Sequence, residues 1–335
     1  MNERKITLAY GSGGRLTHQL IKDIFLKHLN NEILSQMNDS AVFELDGRLA
    51  FTTDSYVVNP IFFPGGDIGK LAVNGTVNDL AMMGAEPLYI SLSVIIEEGL
   101  SLEELERIVI SIKDAVEEAG VRIITGDTKV VEKGKADKIF INTSGLGIIP
   151  RGIEIRGDNA KPKEVVVVSG TIGDHGIAIL SARNQLSFSA DVKSDTAPLN
   201  KLVKIMVDSV PEISVLRDPT RGGLATTLNE IAQASNVGIE IYESEIPIRD
   251  SVRGACELLG LDPLYIANEG KLIAIVPENK AKLLLDVMHN SPYGRDARII
   301  GKVTREHPGK VILVTKLGAK RILDMLSGDP LPRIC

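Results

Sequence analysis

Asp67-Ile-Gly-Lys-Leu-Ala-Val-Asn-Gly-Thr-Val-Asn-Asp-Leu-Ala-Met-Met-Gly84 is the most decisive stretch of this 335-residue chain. Asp67 suits a helix N-cap and Gly84 a C-terminal stop, so a helix is predicted between them. Ile68, Leu71, Ala72, Val73, Val77, Leu80 and Ala81 make it apolar nearly all round, which predicts burial. Yet Lys70, Asn74 and Asn78 recur at i, i+4 and i+8 and form one polar stripe, with Asp79 beside it. Buried polar groups need partners. The stripe therefore faces a ligand or belongs to a structural hydrogen-bond network, and the sequence leaves both open.

Around this helix, strands and helices are interspersed. Residues 41–45 and 49–53, joined by Asp46-Gly47, read as a β-hairpin. Strands are predicted over 88–96, 121–126 and 138–149. Ser101-Leu-Glu-Glu104 matches a capping box that opens a helix ending at Gly120. The polar, Gly- and Pro-containing stretch 150–162 marks a boundary. This gives an N-terminal domain 1–155, a C-terminal domain 156–327 and a mobile tail 328–335. Beyond the boundary, strands are predicted near 165–169, 238–242, 272–276, 298–304 and 310–314. Helices are predicted near 177–182, 199–208, 224–234, 251–259 and 279–289. Hairpin chemistry among helices favours α+β layers with mixed or antiparallel sheets over a doubly wound parallel sheet.

Composition narrows the function. A net charge of −6 removes the electrostatic case for nucleic acid or a membrane surface. No apolar run reaches membrane-span length, and Met1-Asn-Glu-Arg-Lys leads into no secretory h-region. Only Cys256 and Cys335 occur, which excludes a disulfide framework and suits a reducing cytoplasm. Cys256 lies in an apolar helical pattern and reads as core.

Asp39, Asp54, Asp79 and Asp127 stand at element ends or on the buried helix. Hard carboxylate oxygens gathered from separate elements suit Mg²⁺ bound to nucleotide phosphates. Singly, each aspartate is equally a cap or a turn residue. Gly170-Thr-Ile-Gly-Asp-His-Gly176, containing Gly173 and Asp174, follows an apolar strand and could offer backbone N–H groups to phosphates. Arg217-Asp-Pro-Thr-Arg-Gly-Gly223 places Asp218 and Arg221 before a helix N-terminus. Glu269, ahead of an apolar strand, suits a general base if burial raises its pKa. The chain ends Pro330-Leu-Pro-Arg-Ile-Cys335. Its prolines favour an extended tail, Gly328 is a natural pivot, and the span reaches roughly 25 Å at about 3.1 Å per residue.

Together these motifs carry a resemblance. Asn38-Asp-Ser-Ala-Val42, Thr53-Asp-Ser55, the Asn78–Pro87 segment and Gly126-Asp-Thr128 resemble the superfamily of aminoimidazole ribonucleotide synthetase, selenophosphate synthetase and thiamine-monophosphate kinase. These are ATP-dependent enzymes with a PurM-like fold. The 170–176 segment, Asp218-Pro-Thr-Arg-Gly-Gly223, Asp262-Pro-Leu-Tyr-Ile-Ala-Asn-Glu-Gly270 and the terminal Pro332-Arg-Ile-Cys335 narrow it. Over essentially the whole chain it resembles the HypE family of nickel–iron hydrogenase maturation proteins.

The resemblance implies a carbamoyl dehydratase. HypF loads a carboxamide onto the terminal cysteine, ATP drives its dehydration to a thiocyanate, and the cyanide passes to iron on the HypC–HypD complex. On this chain Cys335 becomes the carrier. Asp39, Asp54, Asp79 and Asp127 become candidate Mg²⁺–ATP ligands, and Glu269 and Lys129 become candidates for handling the thiocarboxamide. Lys70, Asn74, Asn78, Gly173, Asp174, Asp218 and Arg221 complete the expected nucleotide contacts. N-terminal domains are expected to pair in a homodimer. Two alternatives are a small-molecule kinase of the thiamine-monophosphate type, where the tail is incidental, and a non-catalytic thiol carrier.

Overall fold

The structure is a computed structural model that describes residues 5–38, 40–184, 192–326, 328 and 333–335. A helical stretch comes first, α1 (Arg15–Leu20) continuing through a π-helical turn into α2 (Lys27–Leu29). A four-stranded sheet follows, built from β1 (Arg48–Tyr56), β4 (Glu86–Glu97), β5 (Arg122–Val131) and β6 (Ile139–Ile149) in the order β1-β6-β4-β5. A two-stranded ribbon, β2 (Phe62–Phe63) with β3 (Gly66–Asp67), leads into α3 (Ile68–Met82). Of the sheet's pairings, β4 with β5 is parallel and the other two are antiparallel.

The predicted buried helix is α3. The Asp67 carboxylate accepts from the Gly69 and Lys70 amides at 2.8 and 3.0 Å, the N-cap role expected of it. Leu71, Ala72, Val73 and Val77 are wholly buried. Each large apolar side chain so enclosed contributes roughly 1.5–3 kcal/mol. Beside it packs α4 (Leu102–Ala119), which carries the predicted capping box and ends at Gly120 in the left-handed region, φ 77°.

The predicted hairpin does not form. Residues 41–45 are not a strand, and β1 pairs instead with β6, from Arg48 opposite Ile149 to Tyr56 opposite Ile141. Long-range pairing wins because β6 offers nine residues in register, with an alternating inward face that meets α3. Asp46-Gly47 only turns the chain into β1.

The second sheet has seven strands in the order β13-β12-β9-β11-β7-β10-β8. They are β7 (Glu164–Val168), β8 (Val215–Arg217), β9 (Gly238–Tyr242), β10 (Ile273–Pro277), β11 (Arg298–Thr304), β12 (Val311–Val314) and β13 (Lys320–Leu323). Only β9 with β12 is parallel. β7 is buried along its whole length, so both faces of the sheet are covered. On one face Val165, Val167, Ala274 and Val276 meet α6 (Asn200–Ser209) and α9 (Glu278–His289). On the other, Val166, Val168, Ile273 and Ile275 meet α7 (Gly223–Ala234). The apolar core under α3 extends into α5 (Asp174–Asn184), α8 (Asp250–Leu259) and Ile334 near the chain end. Cys256 of α8 is buried in that core, and burial pushes its thiol up to about 11.

Candidate active site at the docked C-terminus

Of the last three residues Arg333 is exposed, while Ile334 and Cys335 pack against the core that joins α3 to α5 and α8. Cys335 lines a cavity of about 40 Å³ together with Asp54, Tyr56, Asp79, Asp218, Arg221 and Glu269. Each arrives on a different element. Asp54 lies on β1 and Asp79 on α3, and Thr52 Oγ1 donates to Asp79 Oδ2 at 2.8 Å. Asp218 and Arg221 sit in the turn between β8 and α7, and Glu269 precedes β10.

Asn268 ties these loops together. Its Nδ2 donates to the Pro219 carbonyl at 2.8 Å, and its Oδ1 accepts from the Gly173 amide at 2.7 Å. Gly223 allows the closest approach: φ is +59°, and a Cβ there would stand 2.7 Å from the Leu264 and Ile266 carbonyl oxygens. The Asp218–Gly223 turn is thereby pressed against the segment that carries Glu269.

Electrostatically the cavity is carboxylate-rich and closed. Burial, then the charge of Asp79, pushes Asp218 up to about 7. Burial likewise raises Asp79. Burial, reinforced by Asp218, Asp195 and Asp54, holds the Glu269 carboxyl well above the ordinary range. The Cys335 thiol is also pushed well up, first by burial and then by the charge of the neighbouring Glu269. Glu269 Oε1 is buried and has no hydrogen-bond partner. The site thus contains an acceptor with spare capacity beside the sulfur.

The other expected site residues go elsewhere. Asp127 and Lys129 lie on the open face of the first sheet, where Asp127 pairs with Ser93 and Lys129 with Ile95. They ion-pair with each other at 3.5 Å and line a cavity of about 270 Å³ beneath α1 and α2. Asp54 and Asp79 are on the opposite, helix-facing side. Three strand steps separate β5 from β1, about 14 Å. Within one chain Asp127 and Asp54 are therefore not brought to one point, although each remains a candidate ligand in its own cavity. Asp39 lies outside the described residues.

The polar stripe of α3 resolves largely as structure. Asn78 is buried, donates to the Ala197 and Glu269 carbonyls and accepts from the Leu199 amide at 2.7 Å. In this structure it acts as a strut between the halves, its side chain spent on backbone groups. Asn74 donates to Thr196 Oγ1 at 3.3 Å, and its Oδ1 has no partner. Lys70 and Asp174 line a third, polar cavity of about 310 Å³ with Asp195, Arg249 and Lys271. The Gly173 amide is spent on Asn268, and Asp174 occupies the start of α5, accepting from Thr171 Oγ1 at 2.6 Å. Neither leaves the free N–H cradle that the glycine pattern suggested. The sequence offers no local signal for Asn268, Asp195 and Ser194, and His175 appears there only within the Gly170–Gly176 segment. Their roles depend on neighbours that are distant in sequence.

A hard cation suits this donor chemistry. Asp54, Asp79 and Asp218 crowd together, and burial with the neighbouring carboxylates raises Asp79 and Asp218, which is what carboxylates show when an opposing charge is missing. Among the described residues, no three ligands already surround one point.

Two family models match the chain, the AIR synthase related N-terminal domain over residues 37–149 and its C-terminal domain over 161–314. Fold and site therefore define an AIR synthase related protein with PurM-like domains. More narrowly, the chain belongs to the HypE family of hydrogenase maturation proteins. It is 54% identical over 331 residues to the carbamoyl dehydratase HypE of Azotobacter vinelandii, covering 98% of this chain and 97% of that protein. A solved HypE in complex with ATP superposes with a TM-score of 0.95 at 54% identity, covering 98% and 99% of the two chains. A chain from a HypE–HypF complex superposes at 0.82 with 50% identity, covering 92% and 99%. A thiamine-monophosphate kinase at 22% identity, TM-score 0.64, shares the fold alone.

Proposed function

We propose that this protein uses ATP to dehydrate an S-carboxamide carried on its own Cys335 to a thiocyanate, the source of a cyanide ligand for hydrogenase iron. The observation that carries this reading is the placement of the terminal thiol against Glu269 in a small acidic cavity. The cavity measures about 40 Å³, against roughly 300–1,000 Å³ for pockets that enclose whole small-molecule ligands. That accommodates a group of a few heavy atoms and is far too small for a nucleotide.

The amide oxygen is a poor leaving group until phosphoryl transfer from ATP makes it a good one. Glu269 takes a proton from the amide nitrogen through its unpartnered Oε1, its raised pKa making it a stronger base than a surface carboxylate. The second N–H proton departs with phosphate, the C–O bond breaks and S–C≡N remains. Arg221, whose charge is felt at Cys335, is placed to stabilise the phosphorylated oxygen. Asp54, Asp79 and Asp218 would hold Mg²⁺, which supplies charge neutralisation to the phosphates when bound. Tail docking excludes water that would hydrolyse the activated carbon.

HypF as the loading enzyme and the HypC–HypD complex as acceptor follow from family membership, and delivery requires the tail to leave the cavity. A homodimer is supported by the open face of the first sheet, where Phe51 is 73% exposed and Leu49 46%. A cytoplasmic setting agrees with two free cysteines and a described structure in which no helix is long and apolar enough to cross a membrane.

Intact mass spectrometry with HypF, carbamoyl phosphate and ATP tests the reading. Cys335 should gain a carboxamide and lose water only when ATP is present. Water loss without ATP would overturn the phosphoryl step.

A further inference from the structure

Ile334 is 3% exposed although it is the penultimate residue. What holds it is specific. The Arg333 carbonyl accepts from the Asn59 amide at 3.1 Å and from Arg183 Nη2 at 2.7 Å, while the Arg333 guanidinium meets Asp137 at 2.8 Å. The next carbonyl, that of Ile334, lies 2.8 Å from His175 Nε2. Its side chain reaches Gly176, where an added Cβ would stand 3.4 Å from Ile334 Cδ1 and 2.4 Å from Ile266 Cγ2.

A carbonyl can only accept, so Nε2 carries the hydrogen. His175 is wholly buried, and burial lowers its pKa, so the ring is neutral and Nδ1 is an acceptor. Ser194 Oγ, 2.8 Å from Nδ1, must then donate to it, and the same oxygen accepts from the Thr196 amide at 3.1 Å. The result is a one-way chain from Thr196 N–H through Ser194 and His175 to the tail carbonyl. Phe63 packs edge-on against the imidazole, centroids 5.7 Å apart.

The adjacent residue governs the other reactant. Asp195 Oδ1 accepts from the Glu269 amide at 3.1 Å, and Asp195 is itself held by Lys271 at 3.2 Å. One loop therefore anchors the base through Asp195 and the thiol-bearing tail through Ser194 and His175.

We propose that His175 is a positioning residue for the dehydration, with Ser194 selecting its tautomer, so that the tail stops at the depth where Cys335 meets Glu269. This rests on the dehydratase reading, but its geometric part stands without it. His175 touches neither sulfur nor carboxamide. It acts through the Ile334 carbonyl, one residue from the thiol.

The test uses the full-length chain and two independent readouts. The first is the rate at which iodoacetamide alkylates unloaded Cys335, which reports docking alone. The second is single-turnover water loss after loading by HypF. His175→Ala removes one hydrogen bond and should raise alkylation and slow water loss by about tenfold each, with ATP binding unchanged. His175→Gln, which keeps an N–H donor, should restore both in part. Ser194→Ala should shift both in the same direction by less, and it decides the matter if His175→Ala fails to fold. Unchanged alkylation in folded His175→Ala and Ser194→Ala overturns the inference. Faster alkylation in variants of a wild type that never loses water keeps the positioning role and removes the dehydratase reading instead.

Discussion

The thiol of Cys335 and the carboxyl of Glu269 line one small cavity, and the charge of Glu269 helps push the thiol up, although 66 residues of sequence separate them. Glu269 is 4% exposed, so this contact lies out of bulk water. On the mechanism proposed above, Glu269 would meet its substrate only through the docked tail and act on no free amide, which would restrict the chemistry to the group carried on Cys335.

Glu269→Gln keeps the shape of that contact and removes the base. Loading of Cys335 should proceed normally, while ATP-dependent water loss should fall by about 10²–10⁴-fold. Intact mass spectra taken over time would show the carboxamide form accumulating. Water loss at the wild-type rate would assign the base elsewhere.

Asp218 makes stability depend on pH in a defined direction. Its folded pKa of about 7 exceeds the model-compound value of 3.8, so between these the native state holds a proton that the unfolded chain has released. Stability therefore falls as pH rises from about 4 to 7, and the penalty is complete above 7. Asp218→Asn should raise the free energy of unfolding at pH 8 by on the order of 2 kcal/mol once solvent screening is allowed for, with a higher Tm, and leave both unchanged at pH 4. Mg²⁺ should raise the wild-type Tm more at pH 8 than at pH 6, because it binds the ionised carboxylates.

Asn78→Ala should destabilise the fold instead of selectively impairing catalysis. It strands the Leu199 amide and two carbonyls inside the molecule. Each unsatisfied buried group costs about 1–3 kcal/mol, so urea unfolding should show a loss of several kcal/mol. A fully stable variant would mean that water or ligand already serves these groups.

Phe51→Asp tests the open sheet face. A charge at this exposed position costs the monomer little, but it would be buried in a pairing of two sheets. Sedimentation should show a dimer for wild type and a monomer for the variant. A dimeric Phe51→Asp would place the interface elsewhere.

Much of the fold was legible because its signals are local. Asp67 and Ser101 cap the helices their sequences announce, and Gly120 ends one of them, since capping is decided within a few residues. β9 and β11 fall where alternation predicted them. The terminal Pro-Arg-Ile-Cys and the Asp218–Gly223 turn named the family from residue identities alone, in agreement with the relatives' extensive identity.

Tertiary structure decided what depended on partners far along the chain. β1 chose β6, about ninety residues away, over the adjacent 41–45 segment, because burying a full-length inward face outweighs a favourable turn. Asp54 and Asp127 carry similar local signals, yet strand order and alternation put them on opposite faces, since successive side chains point to opposite sides of a sheet. Asn74 and Asn78 look alike in sequence, but Asn78 is fully satisfied by loop backbone and Asn74 is not. The terminal Pro332-Arg-Ile-Cys335 suggested a carrier only through the family resemblance it shares with the other motifs. That its tail is docked, and at what depth, is set by Asn59, Asp137, His175 and Arg183, whose contacts with the tail exist only once both halves have folded around it.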